Sequence, residues 1–306
     1  MSADSFTLPS FAKINLLLRI LGRRSDNFHE LCTVFQTVSL KDYLTFGEDE
    51  RIVLTCGDDK IPLGDANLIV KAAKLLQENF KIKKGASVYL EKNIPASGGL
   101  GGGSSNAAVA LIGLSRLWKI ETNLAELEKL GKLLGSDVPF FFCGGTAAGT
   151  ERGDKITEMK DIQPELLLVV TPDVAVSTAE AFRKINAPNL TNNSSKSILQ
   201  ICCDEANSLR LPQTKLQNDF ENTIFNIEPE ISLVKQKLIS FGAKQALLSG
   251  SGASVFAFFD DEQGLRLAFD NLKREHDWRV FSARTVSRDE YRNSLNLDKS
   301  LQSTRF

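Results

Sequence analysis

The chain has 306 residues, 42% hydrophobic and 25% charged, with a formal net charge of −1. That balance excludes a disordered or collagen-like chain. It also offers no broad basic field for nucleic acid or an anionic membrane, so an anionic ligand must be held locally, by a loop or a few lysines.

Five cysteines (Cys32, Cys56, Cys143, Cys202, Cys203) with no Cys-x-x-Cys pair, and only two histidines, leave no zinc framework and no disulfide scaffold. Reduced thiols in a cytosol fit them best. No apolar run approaches the ~18 residues of a membrane span. Met1-Ser2-Ala3-Asp4-Ser5 lacks the basic-then-apolar pattern of a secretory signal, so a cytoplasmic protein is expected. The length favours two packed lobes over one core.

In chain order, Phe11–Leu18 reads as a strand and residues 22–27 as a turn. Thr33–Leu40, Tyr43–Phe46 and Arg51–Cys56 continue a sheet. Asn67–Phe80 carries an apolar stripe at helical spacing, and Ala86–Leu90 alternates as a strand. Ser104–Trp118 is apolar on nearly every side and reads as a core helix. Asn123 with Glu126 three residues on is a helix start, closed by Gly135. Pro139 suits the first turn of a short helix through Phe140–Phe142. Beyond a lobe boundary expected near residue 160, Leu166–Val170 is a buried strand and residues 186–197, rich in Asn, Ser and Thr, a loop. Ile231–Leu238 reads as a helix, and Ala246–Phe259 as strand segments around Ser249-Gly250-Ser251-Gly252. Tyr291–Phe306 is polar and reads as a frayed tail.

The most informative stretch runs Pro95-Ala96-Ser97-Gly98-Gly99-Leu100-Gly101-Gly102-Gly103-Ser104-Ser105. Five glycines in six positions directly before a helix let the backbone turn sharply and present N–H groups without side chains in the way. The helix N-terminus adds unpaired donors and partial positive charge, which together make a phosphate cradle. The spacing is neither that of a Walker A loop nor that of a dinucleotide fingerprint. Ser104 and Ser105 can cap the helix, contact phosphate or hold Mg2+.

Pro-x-x-x-Gly-Leu-Gly-Gly-Gly-Ser-Ser-x-Ala, residues 95–107, resembles the ATP-binding motif of the GHMP kinases, the family of galactokinase, homoserine kinase and mevalonate kinase. Further motifs follow in the family's order: Ser10–Leu16, Asn27–Leu31, Leu134–Phe141, Asn218–Glu221 and Ser249–Ala253. They resemble most the branch that acts in the non-mevalonate isoprenoid precursor pathway. The resemblance implies an α+β, two-lobe fold with nucleotide and substrate in the cleft between lobes. It also implies an N-terminal ATP-binding domain over 1–160, a substrate-side domain over 161–288 and a polar tail over 289–306. The implied reaction is ATP-dependent phosphorylation of the 2-hydroxyl of a cytidine-diphosphate-linked methylerythritol. Its small-molecule partners are that substrate and ATP, with Mg2+ and without nucleic acid or membrane; the oligomeric state is left open.

Phosphoryl transfer needs an aligned hydroxyl, a proton acceptor and neutralised charge. Asp137 reads locally as a helix cap; the resemblance makes it the general base. Lys13, in an otherwise apolar strand, either points outward or points inward to a carboxylate such as Asp137. The resemblance gives it the second role and has Asn15 position the substrate. It also puts His29 at a cytosine edge, with Phe28, where the family usually has tyrosine, stacking on one face of the base and Phe182 on the other. Lys92 and Asn67 would border the adenine. No acidic ligand for the metal is evident. Two readings compete: another GHMP kinase acting on homoserine, a sugar or a mevalonate derivative, and a non-catalytic nucleotide-binding regulator on the same fold.

Overall fold

A computed structural model describes residues 5–185 and 215–297, with Ala187 and Asp204. The loop expected over 186–197 and the Cys202–Cys203 pair lie outside the described residues, Ala187 apart. Among the described residues no helix is long and apolar enough to cross a membrane.

The first sheet is built on two long strands, β1 (Phe6–Arg23) and β2 (His29–Asp49). They pair antiparallel along their length, with a register shift between Phe11↔Lys41 and Ala12↔Val38. That irregularity falls where the sequence suggested two strands; the chain instead bulges and continues. The other edge of β2 is shared: residues 31–36 pair with β5 (Thr146–Glu151) and 43–49 with β4 (Gly85–Glu91). β3 (Ile52–Cys56) and β6 (Lys155–Glu158) complete that side. β7 (Leu166–Thr171) opens a second sheet with β9 (Gln245–Leu248), β10 (Val255–Phe258) and β11 (Arg279–Arg284). The two-residue β8 (Gln217–Asn218) returns to pair with β1 at Leu17 and Leu18.

Side-chain alternation sorts these strands into four layers. Leu8, Phe11, Phe35, Leu44 and Phe46 pack against α1 (Leu68–Phe80), α2 (Gly102–Leu117), α3 (Leu124–Leu134) and α4 (Phe140–Cys143). Ala12, Ile14 and Leu16 meet Leu167, Val169, Phe256 and Phe258 between the two sheets. Leu168, Val170, Val255 and Ala257 face the other way. There they meet α6 (Glu221–Ile227), α7 (Pro229–Ser240) and α8 (Glu262–Glu275). The caps read from sequence at Asn123 and Gly135 are present.

The C-terminal stretch corrects an expectation. α9 (Arg288–Ser294) is not a frayed tail, because Tyr291, Leu295 and Leu297 are buried in the core of the first lobe. The Tyr291 hydroxyl donates to the Phe141 carbonyl at 2.5 Å. One aromatic and two leucines among polar neighbours suffice for a short docked helix. Residues beyond 297 lie outside the described residues.

Candidate active site

α2 starts at Gly102, earlier than the apolar pattern suggests, and Gly101 precedes it in a left-handed conformation (φ 68°) with no side-chain cap. The expectation that Ser104 or Ser105 caps the helix is therefore corrected, since both lie inside its first turns. Ser105 is fully buried, its hydroxyl accepts a hydrogen bond from Ser10 Oγ at 2.8 Å, and it lines neither of the two cavities beside the loop.

Both lobes grip the glycine loop. The Lys13 N–H donates to the Leu100 carbonyl at 2.9 Å, Ser249 Oγ donates to the Gly99 carbonyl at 2.9 Å, and the Ser254 N–H donates to the Gly98 carbonyl at 3.1 Å. A Cβ on Gly99, whose φ is +71°, would stand 2.0 Å from the Ser249 carbonyl oxygen, so only glycine fits there. The 249–253 loop is held in turn by Asn218, whose amide donates to the Leu248 and Gly250 carbonyls, each at 2.8 Å.

The glycine loop is a wall between two cavities. The smaller, about 330 Å³, is lined by residues 95–104 together with Ile61, Asn67, Leu68, Leu90 and Lys92. The larger, about 990 Å³, opens between the lobes and shares Gly99, Gly101 and Ser104 with it. Asn67, however, is also the N-cap of α1, its side chain accepting from the Ile69 N–H.

Lys13 points inward. Its side chain is 4% exposed, and its Nζ lies 3.2 Å from Asp137 Oδ2 and donates to Asn15 Oδ1 at 2.8 Å. Ala12 and Ile14 are committed to the layer between sheets, so strand alternation turns Lys13 and Asn15 to the cavity side. Asn15 is pinned by donating to Thr33 Oγ1 at 2.8 Å. Asp137 sits in the turn before α4, does not cap that helix, and with 34% of its side chain exposed it faces the cavity. The pair sets a buried amine beside a carboxylate that is one-third open to the cavity, so the carboxylate is oriented from behind while its free edge faces the space where an acceptor would lie.

Phe28, His29 and Phe182 line the far end of the larger cavity. Phe182, on α5 (Thr178–Lys184), stacks on the His29 imidazole with ring centroids 5.0 Å apart. Phe28 is 51% exposed and carries the Arg152 guanidinium 4.7 Å from its ring centre. The two phenylalanines thus engage different neighbours rather than bounding one empty slot. Burial, with Arg23 nearby, pushes the His29 pKa below the usual histidine range, which favours the neutral ring with one donor and one acceptor nitrogen.

Arg23, Arg152 and Arg183 also line this cavity, and Asp137 is its one acid among the described residues. Reading motifs missed these arginines. Arg152 stands beside a glycine in the turn after β5, which is the kind of signal that could have found it. No group of three or more His, Cys, Asp or Glu among the described residues could hold a metal ion.

Residues 67–145 match the GHMP kinases N terminal domain and residues 196–277 the GHMP kinases C terminal domain. The chain is 37% identical over 286 residues to a 4-diphosphocytidyl-2-C-methyl-D-erythritol kinase of Syntrophotalea carbinolica, covering 93% of this chain and 99% of that one. It is 34% identical over 279 residues to the same-named kinase of Thermoanaerobacter pseudethanolicus, covering 91% and 96%. A crystal structure of 4-(cytidine 5'-diphospho)-2C-methyl-D-erythritol kinase superposes with a TM-score of 0.73 at 30% identity, covering 92% of this chain and 99% of that one. A mevalonate kinase crystal structure, at 18% identity and TM-score 0.66, shares the fold. By sequence and by architecture, the chain belongs to the GHMP kinase family.

Proposed function

We propose that the chain transfers the γ-phosphoryl group of ATP to the 2-hydroxyl of 4-diphosphocytidyl-2-C-methyl-D-erythritol, the substrate in its relatives' name, as a step of the non-mevalonate isoprenoid route. The observation that carries this reading is the Lys13–Asp137 pair, 3.2 Å apart, lining the same cavity as the glycine loop and the aromatic group of Phe28, His29 and Phe182.

In this reading ATP lies in the smaller cavity with its phosphates along residues 95–104, reaching the shared wall at Gly99, Gly101 and Ser104. Asp137 accepts the proton of the 2-hydroxyl as its oxygen attacks the γ-phosphorus. The bond from that phosphorus to the β,γ-bridging oxygen breaks, and ADP leaves. Lys13 orients Asp137 and, with Asn15, lines up the acceptor. The neutral His29 ring reads the cytosine edge while Phe28 and Phe182 supply stacking surface. Arg23, Arg152 and Arg183 give the substrate's diphosphate a local cationic setting that a net charge of −1 does not provide globally.

Mg2+ suits the hydroxyl of Ser104, a hard oxygen donor that lines both cavities, and does not suit Ser105, whose hydroxyl is buried against Ser10. It would neutralise charge on the β- and γ-phosphates, held mainly by phosphate oxygens and water. The reading is of a cytoplasmic enzyme acting on small molecules rather than on nucleic acid.

The test is ADP release from Mg-ATP with the cytidine substrate, mevalonate, homoserine and galactose, for wild type and Asp137→Ala. Turnover confined to the cytidine substrate and lost in Asp137→Ala is the expected result. Turnover of another acceptor would overturn the substrate assignment, and undiminished turnover in Asp137→Ala would overturn the base.

A further inference from the structure

A second buried charge pair lies behind the glycine loop and plays no part in the chemistry above. Asp42 is fully buried, and Lys92 Nζ donates to its Oδ2 at 2.7 Å. Its Oδ1 accepts the N–H groups of Asn93 and Ile94, both at 2.7 Å, and its Oδ2 also accepts Asn106 Nδ2 at 3.0 Å. The Asn106 amide reaches on to Ser10 Oγ at 2.9 Å, and Ser10 donates to Ser105 Oγ at 2.8 Å.

The donors to Asp42 share one property. Lys92, Asn93 and Ile94 stand immediately before the loop and Asn106 immediately after it. An isolated buried carboxylate is costly to a fold, so a fully satisfied one marks a place where geometry is being specified. Its position on β2 explains how it reaches both ends. It sits between the segment of β2 that pairs with β5 and the segment that pairs with β4, directly opposite Ser10. The chain leaves β4 at Glu91 and is caught by the carboxylate before it enters the loop.

Lys92 adds a second element. Its Nζ lies 3.2 Å from where a Cβ on Gly102 would stand, beneath the first turn of α2. A cation there opposes the positive end of the helix dipole. Burial also pushes the Lys92 pKa down, and Asp42 works against that shift.

We propose that Asp42 is a positioning residue for the nucleotide: its carboxylate fixes both ends of the glycine loop, and through them the phosphate-facing N–H groups on the side of the smaller cavity. This rests on the assignment of ATP to that cavity. Asp42 lines neither cavity, so its effect is exerted through Lys92, Asn106 and the backbone of residues 92–94.

The experiment is calorimetric titration of the folded full chain with ADP and, separately, with CDP, plus the KM for ATP, in wild type, Asp42→Asn and Gly103→Val. Asp42→Asn keeps the shape and removes the charge. It is expected to weaken ADP and raise the KM for ATP by about tenfold or more, with CDP affinity within about twofold and kcat at saturating ATP little changed. Unchanged ADP affinity, or an equal loss for CDP, would overturn the proposal, since a merely structural role would move both ligands. Should Asp42→Asn not fold, Ser10→Ala removes the far end of the network without touching either cavity. The same one-sided loss, of roughly threefold, is expected there, and no loss would overturn the proposal.

Gly103→Val separates this proposal from the reading beneath it. A Cβ at Gly103 meets only Leu68 Cδ1, at 3.8 Å, so the variant is tolerated by the fold while it fills the nucleotide space. If Gly103→Val binds ADP as wild type does, the assignment of ATP to the smaller cavity falls. If Gly103→Val loses ADP and Asp42→Asn keeps it, only the role of Asp42 falls.

Discussion

The two cavities that meet at the glycine loop differ in where their walls come from. The smaller is lined entirely by residues between Ile61 and Asn106, one continuous piece of the first lobe. The larger draws on β1, the tip of the β1–β2 hairpin, the turn before α4, the turn after β5, α5 and the 249–253 loop, and so needs both lobes. A site made from one segment can be recognised as a motif, whereas a site assembled from many distant segments exists only after folding. The difference also has a chemical side. Backbone N–H groups suffice for phosphate, but a particular acceptor needs side chains with particular shapes and charges.

The sharpest way to break this division is Asp137→Ala. Removing the proposed base is expected to lower kcat by about 10²–10⁴-fold with both KM values little changed, as steady-state kinetics would show. A large rise in the KM for ATP instead would mean that Asp137 belongs to the nucleotide side. Next comes Phe182→Ala, which takes away a stacking surface worth about 1–3 kcal/mol. The KM for the cytidine substrate should rise while that for ATP stays put, and equal rises would dissolve the distinction between the two walls.

Tyr291→Phe probes neither wall but the packing behind Asp137. Losing its hydroxyl leaves the Phe141 carbonyl unpaired in the core, and a stability loss of about 1–3 kcal/mol is expected in thermal or denaturant unfolding. The smallest effect is a pH dependence on the acceptor side alone. His29 has a lowered pKa, so its neutral form, and with it the proposed cytosine contact, persists as pH falls below the ordinary histidine value. The contact is lost as pH falls through that lowered pKa, which the KM for the acceptor, but not for ATP, should record.

Strands β1 to β4 of the first sheet, the core helix α2, the cap at Asn123 and the glycine loop were legible in the sequence because each depends on local periodicity or local backbone freedom, whereas the short β5, β6 and β8 were not. Lys13 was half legible. Its place in an apolar strand raised the question of which way it pointed, and only the packing of Ala12 and Ile14 between the sheets answers it. Ser105 was misjudged because a serine beside a phosphate loop resembles a ligand, and its partner Ser10 is distant in the chain. Asp42 carried no local signal, because its donors, Lys92, Asn93, Ile94 and Asn106, lie 50 or more residues further along the chain. The stack of Phe182 on His29 depends on the two lobes meeting, and Arg152 over Phe28 on the turn after β5 meeting the β1–β2 turn, which no spacing rule encodes.

The burial of Tyr291, Leu295 and Leu297 against Leu8 and Phe11 reaches into biosynthesis. The first lobe leaves the ribosome before the second, yet its core stays open until residues 288–297 have been made. At ordinary elongation rates that gap lasts on the order of ten seconds, during which an apolar seam beside α4 faces solvent. A nascent chain stalled before residue 288 therefore carries the whole glycine loop and Asp137, but not the helix that closes the core behind them.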